Sequence, residues 1–345
     1  MESDAAPHPR SRRSSLGAWL RVVGGSLLVA LLLRAFVFEA YRIPSTSMTE
    51  TLLVDDYVFV SKLAYGPRLP TTLGLPFTGR YLPGVEWPVR RLPGLSEVAR
   101  GDVIVFNYPR ASGPVERRMP YIKRAIGLPG DTVVIRAKEV FVNGAPSPPP
   151  PQGEQFWRVA LARESAWPDE PRLGALGLRG RTDRLGPRER LVSATAAAAA
   201  RLAQEEGVEA VAPYVRDPHD GSAAFAPEPQ SLDDFGPVVV PARGLTVPLD
   251  ETTWRLYRDT IERHEGRSVG RVAGGFEIGS RPATEYTFTQ DYYFVLGDNR
   301  DDSADSRTWG FVPESHLIGK AVTVYLSVDR QAGRPRWERT FRPIR

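Results

Sequence analysis

The chain has 345 residues and a formal net charge of +4, and its apolar and charged fractions are those of an ordinary globular protein. It contains no cysteine, which excludes disulfides, thiol nucleophiles and cysteine-bound zinc. Basic residues are interspersed with acidic ones and form no stripe with aromatic residues, so we expect no nucleic-acid partner.

An apolar segment follows a polar start that contains several arginines. Its uncharged core, residues 22–33, is shorter than the roughly 20 residues that a bilayer requires. Taken as one helix over residues 18–38, at about 1.5 Å per residue, the segment reaches about 30 Å, which is enough to cross a bilayer. Arg21 and Arg34 would then lie toward its two ends, where long cationic side chains reach the interface.

Three interpretations of this segment compete. A cleavable signal peptide has a similar apolar centre, but no small-x-small cleavage site follows, because residues 35–40 include Phe, Val, Phe and Glu. A buried helix of a soluble domain is the second. We expect the third, a membrane anchor over residues 17–40 behind a cytoplasmic tail of residues 1–16, because basic residues before a span favour the cytoplasmic side.

The pattern after the anchor is that of short strands separated by Pro, Gly and Asp. Strands are predicted at residues 52–54, 57–60, 101–106, 121–126, 132–135, 139–142, 292–296 and 321–328. Residues 66–97 predict a long surface loop, and we expect the basic tail from Asp329 to be exposed. The predicted fold class is mainly β, an antiparallel β-sheet domain behind a single N-terminal transmembrane helix.

The composition changes at Ala145, where a proline-rich break begins. Residues 146–285 are charged and patchy, and they predict a large mixed insertion of unknown role. The β domain then comprises residues 41–145 and 286–345. Within the insertion, helices are predicted at residues 194–200, by alanine propensity, and at 251–264. The insertion could be a passive spacer or a partner-binding module.

Two serines, Ser45 and Ser47, follow directly after the anchor. Pro44 fixes its own φ and biases Ile43 toward an extended backbone, so both hydroxyls would lie on one face. A serine nucleophile needs a base, but no histidine lies in a motif that favours a Ser-His-Asp triad: His8, His219, His264 and His316. The ordinary alternative for such serines is a turn or a helix cap.

A neutral lysine is the next candidate for the base. Lys123 lies among apolar residues in the run 121–126, and burial can lower the pKa of a lysine by several units from about 10.4. Arg124 would point to the other face of the strand. The alternative is a half-exposed surface lysine, because lysine is rarely buried unpaired. Spacing alone does not bring Ser47 and Lys123 together.

Residues 297–307 are dense in Asp, Asn, Ser and Arg. A calcium loop is one interpretation, but no Glu stands where the bidentate ligand is needed and arginines interrupt the series, so we expect no metal. Ion pairs among the charged residues of this block fit better: Asp298, Arg300, Asp305 and Arg307.

Taken together, the motifs closely resemble the characteristic boxes of bacterial type I signal peptidases. The matching segments are residues 43–48 (Ile-Pro-Ser-Thr-Ser-Met), 100–106, 121–124 with 127–131, and 297–307. The resemblance covers about residues 17–145 and 286–328. It implies a membrane-anchored serine endopeptidase that cuts signal peptides from secreted preproteins after small residues, at an Ala-x-Ala site, without a cofactor or a metal.

Carried over residue by residue, the resemblance implies that Ser47 is the acylating nucleophile and Lys123 its general base. The Ser45 hydroxyl and the Ser47 backbone N–H would form the oxyanion hole, and Ser303 would orient the lysine. Structural support would come from Asp298, Arg300, Asp305 and Arg307, and substrate-pocket walls from Ile43, Val105 and Ile122. Thr46, between the serines, departs from the family pattern, and we expect no effect on the chemistry.

The implied location is the inner (plasma) membrane, crossed once, with the N-terminus cytoplasmic and the catalytic domain on the periplasmic side. The expected partners are signal peptides of exported preproteins and membrane lipid, and the resemblance also allows the protein translocation machinery. A self-cleaving repressor-type protease is an alternative with a similar dyad, but the anchor and the lack of a DNA-binding segment argue against it. A binding protein that has kept the fold without activity is disfavoured because both Ser47 and Lys123 are present.

Overall fold

A computed structural model of the chain describes residues 12–74, 81–178, 180–226, 228–330 and 332–345, so most of the predicted cytoplasmic tail lies outside the described residues. Helix α1, Arg12–Phe36, contains a 20-residue stretch, Gly17–Phe36, that is long and apolar enough to cross a membrane. None of this stretch is buried against the rest of the protein, as expected for a helix that faces lipid. The helix ends two residues before the predicted position at Phe38.

Among the described residues, the chain up to Pro146 contains nine strands: β1 Phe38–Arg42, β2 Asp56–Ser61, β3 Thr72–Gly74, β4 Tyr81–Glu86, β5 Val103–Asn107, β6 Pro120–Gly127, β7 Thr132–Arg136, β8 Glu139–Val142 and β9 Ala145–Pro146. The next elements are β10 Glu154–Leu161, α2 Glu170–Leu176, β11 Thr182–Gly186, β12 Glu189–Thr195, α3 Ala196–Leu202, β13 Val208–Pro213, β14 Phe235–Val239, β15 Thr246–Pro248, α4 Glu251–Thr260, β16 Val269–Val272, β17 Gly275–Ile278, β18 Arg281–Ala283 and β19 Glu285–Thr287.

The chain closes with β20 Tyr292–Leu296, α5 Ser306–Trp309, β21 Val312–Pro313, β22 Leu317–Asp329, β23 Arg334–Pro335 and β24 Arg342–Pro343. Short 3₁₀ helices cover Val115–Arg117, Glu164–Ala166, Glu314–His316 and Trp337–Arg339, and a π turn, Ile261–Glu265, extends α4. The predicted helices at 194–200 and 251–264 therefore correspond to α3 and to α4 with its π turn.

The main sheet is antiparallel and has nine strands within the described residues, seven of them in the order β1-β2-β22-β5-β6-β20-β21. Strand β5 shows how the sheet separates two apolar cores. Val103 and Val105 pack on one face, and Ile104 and Phe106 pack on the other. Because successive side chains of a strand point to opposite faces, a strand buried on both sides is apolar throughout. The predicted mainly β fold is confirmed.

Two predictions made from short segments are wrong. Residues 52–54 form turns instead of a strand, since the Leu52 N–H donates to the Met48 carbonyl at 2.7 Å and the Leu53 N–H donates to the Asp56 carboxylate at 2.9 Å. The predicted loop 66–97 contains the antiparallel pair β3 and β4. In both cases the backbone follows hydrogen bonds between particular nearby residues, which an apolar run or a proline-rich composition does not specify.

The predicted insertion has two structurally different halves. Its first half folds as a four-stranded sheet, β11-β12-β10-β13, with α2, α3 and an apolar core of its own. In its second half, β14 pairs with β7, and Phe235 and Leu256 belong to the same core as Phe294 and Phe311 of the main domain. The second half therefore completes the core of the main domain.

The C-terminal tail folds back onto the main sheet, so the prediction of an exposed tail is wrong for its last residues. Strands β23 and β24 both pair with β22. Arg339 is buried and donates from its Nη2 to the Asp56 carboxylate at 2.6 Å. Asp56 is fully buried and also accepts a hydrogen bond from the Ser327 hydroxyl at 2.5 Å.

We expect Arg339→Ala to destabilise the protein by about 3–5 kcal/mol, because it leaves the buried Asp56 carboxylate without its cation. Arg334→Ala is the control, since Arg334 is exposed on β23 and a surface change costs at most about 0.5 kcal/mol. Denaturant unfolding of the detergent-solubilised chain measures both variants. Equal unfolding midpoints for the two variants would contradict the stabilising role of the buried pair between Arg339 and Asp56.

Candidate active site

The structure brings Ser47 and Lys123 into contact. The Lys123 Nζ hydrogen-bonds to the Ser47 Oγ at 2.6 Å and to the Ile122 carbonyl at 3.0 Å. Lys123 lies on β6 and is 3% exposed, and Ser47 lies in the turn after β1 and is 7% exposed. A serine and a lysine that are 76 positions apart thus share a buried site, which their spacing alone did not predict.

The turn that carries Ser47 is held from several sides. Met48 is fully buried in the apolar core below it. From the loop after β20, Asn299 donates its backbone N–H to the Ser47 carbonyl at 3.1 Å and its Nδ2 to the Thr46 carbonyl at 3.3 Å. The Thr46 hydroxyl donates to the Asp302 carboxylate. The sequence did not indicate a role for Asn299 or Asp302 beyond their position in the polar block 297–307.

Burial lowers the pKa of Lys123 to about 8, against an opposite effect of the carboxylates of Asp305 and Asp298. The aromatic ring of Tyr121 also lies near the amine, with its centroid 5.7 Å from Nζ. The sequence correctly suggested apolar neighbours, but the two acids come from a distant segment. A substantial fraction of the amine is therefore neutral near pH 8, which a general base requires.

Ser45 and Ser303 flank the pair in different ways. The Ser45 Oγ is 3.4 Å from the Ser47 Oγ. Ser303 is buried, and its Oγ has no hydrogen-bond partner among the described residues, so the expected hydrogen bond to Lys123 is not formed in this conformation. Ser303 packs directly against Gly297, where an added Cβ would lie 2.2 Å from the Ser303 Oγ and 2.6 Å from the Ser47 carbonyl oxygen.

Two buried ion pairs lie beside the lysine. Asp305 receives two parallel hydrogen bonds from Arg307, from Nε and from Nη2, both at 2.8 Å. Asp298 is bound in the same way by Arg124 of β6, at 2.7 and 2.6 Å. The expectation that Arg300 would share in these ion pairs is therefore wrong: Asp298 takes the arginine of the neighbouring strand because β20 lies next to β6.

A further cluster of ion pairs holds the loop after β20, which contains Asp301. The Asp301 carboxylate accepts from Lys138 at 2.7 Å and from Arg216 at 2.5 Å. Asp233 binds the same two cations, at 3.0 and 3.1 Å. This cluster joins the β7–β8 turn, the insertion and the loop after β20, and sequence reasoning found no sign of it.

The predicted pocket walls also come together. Ile43, Val105 and Ile122 belong to one apolar cluster that includes Met48, the neighbour of the serine. Strand β6 pairs with β20 only from Arg124 onward, so within the described residues 120–123 pair on one side alone, with β5. An open strand edge therefore runs beside the apolar cluster and leads to Lys123.

No group of three or more His, Asp or Glu side chains is arranged to hold a metal ion within the ranges that the structure describes. Two of the histidines, His264 and His316, stack against each other with ring centroids 5.1 Å apart. The Arg118 guanidinium contacts the His316 ring at 2.7 Å. Neither histidine contacts the dyad.

The family model described as signal peptidase, peptidase S26, matches residues 16–171 and 256–326. The signal peptidase I of Pseudomonas aeruginosa is 27% identical over 312 residues, which is 87% of this chain and 69% of that protein. The signal peptidase I of Haemophilus influenzae is 25% identical over 338 residues, 92% of this chain and 70% of that protein. A crystal structure of a signal peptidase I from Enterococcus faecalis V583 has 19% sequence identity and a TM-score of 0.23, covering 65% of this chain and 96% of that chain.

We expect Gly297→Ala to lower the rate at which an activated acyl ester acylates Ser47 by about 100-fold, because a displacement of about 1 Å at a reacting group has such an effect. The added methyl would press on the Ser303 side chain and on the Ser47 carbonyl. Gly174→Ala is the matched control, since a Cβ there meets nothing within 4 Å. Mass spectrometry of the acylated chain gives the rates, and equal rates for the two variants would contradict the close approach.

Proposed function

The chain belongs to the signal peptidase family, peptidase S26, and we propose that it cuts signal peptides with Ser47 as nucleophile and Lys123 as general base. That it is a membrane-anchored serine protease acting on signal peptides follows from its family and its apolar N-terminal helix. The assignment of the two residues rests on one observation, the 2.6 Å contact between a buried amine and a buried hydroxyl.

In the proposed mechanism, the neutral Lys123 amine takes the Ser47 hydroxyl proton while Oγ attacks the carbonyl carbon of the scissile bond. The resulting ammonium then gives a proton to the leaving amine, and an acyl-enzyme remains on Ser47. The same amine next takes a proton from the water that attacks the ester carbonyl, and it returns a proton to the Ser47 Oγ as the acyl group leaves. A base with a pKa of about 8 can work in both directions near neutral pH.

The developing negative charge needs hydrogen-bond donors, and we assign the Ser45 hydroxyl and the Ser47 backbone N–H to this oxyanion hole. The 3.4 Å distance between the two serine Oγ atoms supports the role of Ser45. Ser303 is assigned to orient the lysine, because its buried hydroxyl lacks a partner and a buried polar group without one is costly.

We propose that the substrate lies as an extended strand along the open edge of residues 120–123. Side chains of an extended peptide alternate, so the first and third residues before the cut would face the same side. That side would be the apolar cluster of Ile43, Val105 and Ile122. The residue between them would face away, which fits the alternation of an Ala-x-Ala site.

We propose that four charged residues brace the site: Asp298, Arg300, Asp305 and Arg307. Residues 146–285 are proposed to be an insertion in the catalytic domain. We place α1 in the inner membrane with the N-terminus cytoplasmic and the catalytic domain periplasmic, in contact with lipid and within reach of the translocation machinery. Since only a short segment separates Phe36 from Ser47, the anchor would raise the effective concentration of emerging signal peptides.

Ser47→Ala and Lys123→Ala are both expected to lower kcat for a preprotein with an Ala-x-Ala site by at least about 10³-fold in lipid, because nucleophile and base are lost. Lys320→Ala is the control, since Lys320 pairs with Asp102 on the sheet surface. Gel electrophoresis follows the cleavage, and circular dichroism checks that each variant is folded. Near-normal rates for a folded Lys123→Ala would mean that the base lies elsewhere.

A further inference from the structure

A cavity of about 410 Å³ lies between the end of the anchor helix and the active site. We call it the anchor-side cavity. Its lining includes Ala35 at the end of α1, Glu39 and Tyr41 of β1, and Pro120 at the start of β6. It therefore lies where the chain leaves the membrane and where the open edge of β6 begins.

The anchor-side cavity continues the apolar cluster beside Ser47. Residues two apart on a strand point to the same face. Each of the three proposed pocket walls has a cavity-lining residue two positions away on its own strand or its continuation: Tyr41 for Ile43, Pro120 for Ile122 and Asn107 for Val105. The groove is thus apolar beside the nucleophile and polar about 7 Å farther toward the anchor, at about 3.3 Å per residue.

The cavity has a positive charge balance. Of the residues that the structure describes, four cationic ones line it, Lys62, Arg68, Arg117 and Arg118, and two carboxylates do so, Glu39 and Glu116. Both carboxylates already have donors. Glu39 is bound by Lys62 at 2.9 Å and by the Tyr41 hydroxyl at 3.0 Å, and Glu116 accepts the N–H groups of Thr71 and Thr72 at 3.0 and 2.9 Å.

Arg68 is one of the cations that line this cavity. It donates to the Asn107 side chain at 2.8 Å and to the Ser315 carbonyl at 3.1 Å, which are both neutral acceptors. Burial, and next the neighbouring Arg91, lower the pKa of Arg68 to about 10, while the carboxylates of Glu116 and Glu39 act in the opposite direction. A negative or neutral polar group in the cavity would be stabilised, and a second cation would be repelled.

The direction of the substrate decides what enters the cavity. The apolar core of a signal peptide lies in the membrane, on the side of Ala35, and the cut occurs at Ser47. If the first and third residues before the cut face the apolar cluster, the next ones on the same side, around the fifth to seventh, reach the cavity. These residues lie between the apolar core of the signal peptide and its cleavage site.

We propose that the anchor-side cavity is a second specificity site, which takes the fifth to seventh residues before the cut, favours acidic or neutral polar side chains there and rejects Lys and Arg. This inference rests on the proposed function, because it takes Ser47 as the place of the cut. The headgroup of an anionic lipid is the competing occupant at this depth. Continuity with the groove beside Ser47 favours the peptide.

The test uses the full chain in phosphatidylcholine vesicles and three preproteins with an Ala-x-Ala site that differ only at the fifth residue before the cut, with Asp, Ser or Lys. We expect kcat/KM to be about tenfold lower with Lys than with Asp, mainly through KM, which corresponds to about 1.4 kcal/mol. Arg68→Gln should bring this ratio toward one. Arg117→Gln gives a second reading if the first variant does not fold, and Arg188→Gln, exposed on the insertion, should leave the ratio unchanged.

Cleavage of all three preproteins at equal rates, with the substitution placed at the fifth, sixth or seventh position, would overturn this inference alone. A chain that cleaves none of them would overturn the proposed function and this inference with it. Repeating the assay with added phosphatidylglycerol tests the competing occupant. Two results together would show that the cavity binds a headgroup and that the inference is wrong. Anionic lipid would change the rate only when Arg68 is present, and Arg68→Gln would have the same Asp-to-Lys ratio as the unchanged chain.

Discussion

The proposed chemistry depends on keeping one amine buried and uncharged. Burial lowers the pKa of Lys123 to about 8, but the carboxylates of Asp305 and Asp298 act in the opposite direction. Each of these carboxylates is bound by an arginine through two hydrogen bonds, Arg307 for the first and Arg124 for the second. The effect of burial prevails over that of the two carboxylates, whose charges are paired with these arginines. Such buried pairs add little net stability, and their role here would be electrostatic.

The loop between β20 and α5 connects the surroundings of the lysine with the nucleophile. It contains both carboxylates, and through Asn299 it also holds the backbone on which Ser47 lies. From behind, Asp301 ties the loop to Lys138 and to Arg216 of the insertion. The second half of the insertion, whose apolar residues complete the main core, thus also contributes charged groups that fix the loop. A site assembled from distant segments needs such support, since small displacements of reacting groups are costly.

Local patterns predicted the apolar helix, most of the strands and the alanine-rich helix, because these follow from composition and period over a few residues. The contact between Ser47 and Lys123 was predicted only through the family resemblance. The partner of Asp298 was missed because it depends on the order of strands in the sheet, which no local pattern specifies. Leu52 shows the same limit, since a buried apolar residue in a turn looks like part of a strand in the sequence.

The most direct test is to titrate the Lys123 amine by nitrogen NMR in the lipid-embedded chain, with its signal assigned by its loss in Lys123→Arg. The structure predicts a pKa of about 8. Cleavage should then rise with pH through the same value, since the ammonium that exists below it cannot accept the serine proton. A titration near 10.5, the ordinary value for lysine, would leave almost no neutral amine at neutral pH and would contradict its role as the base.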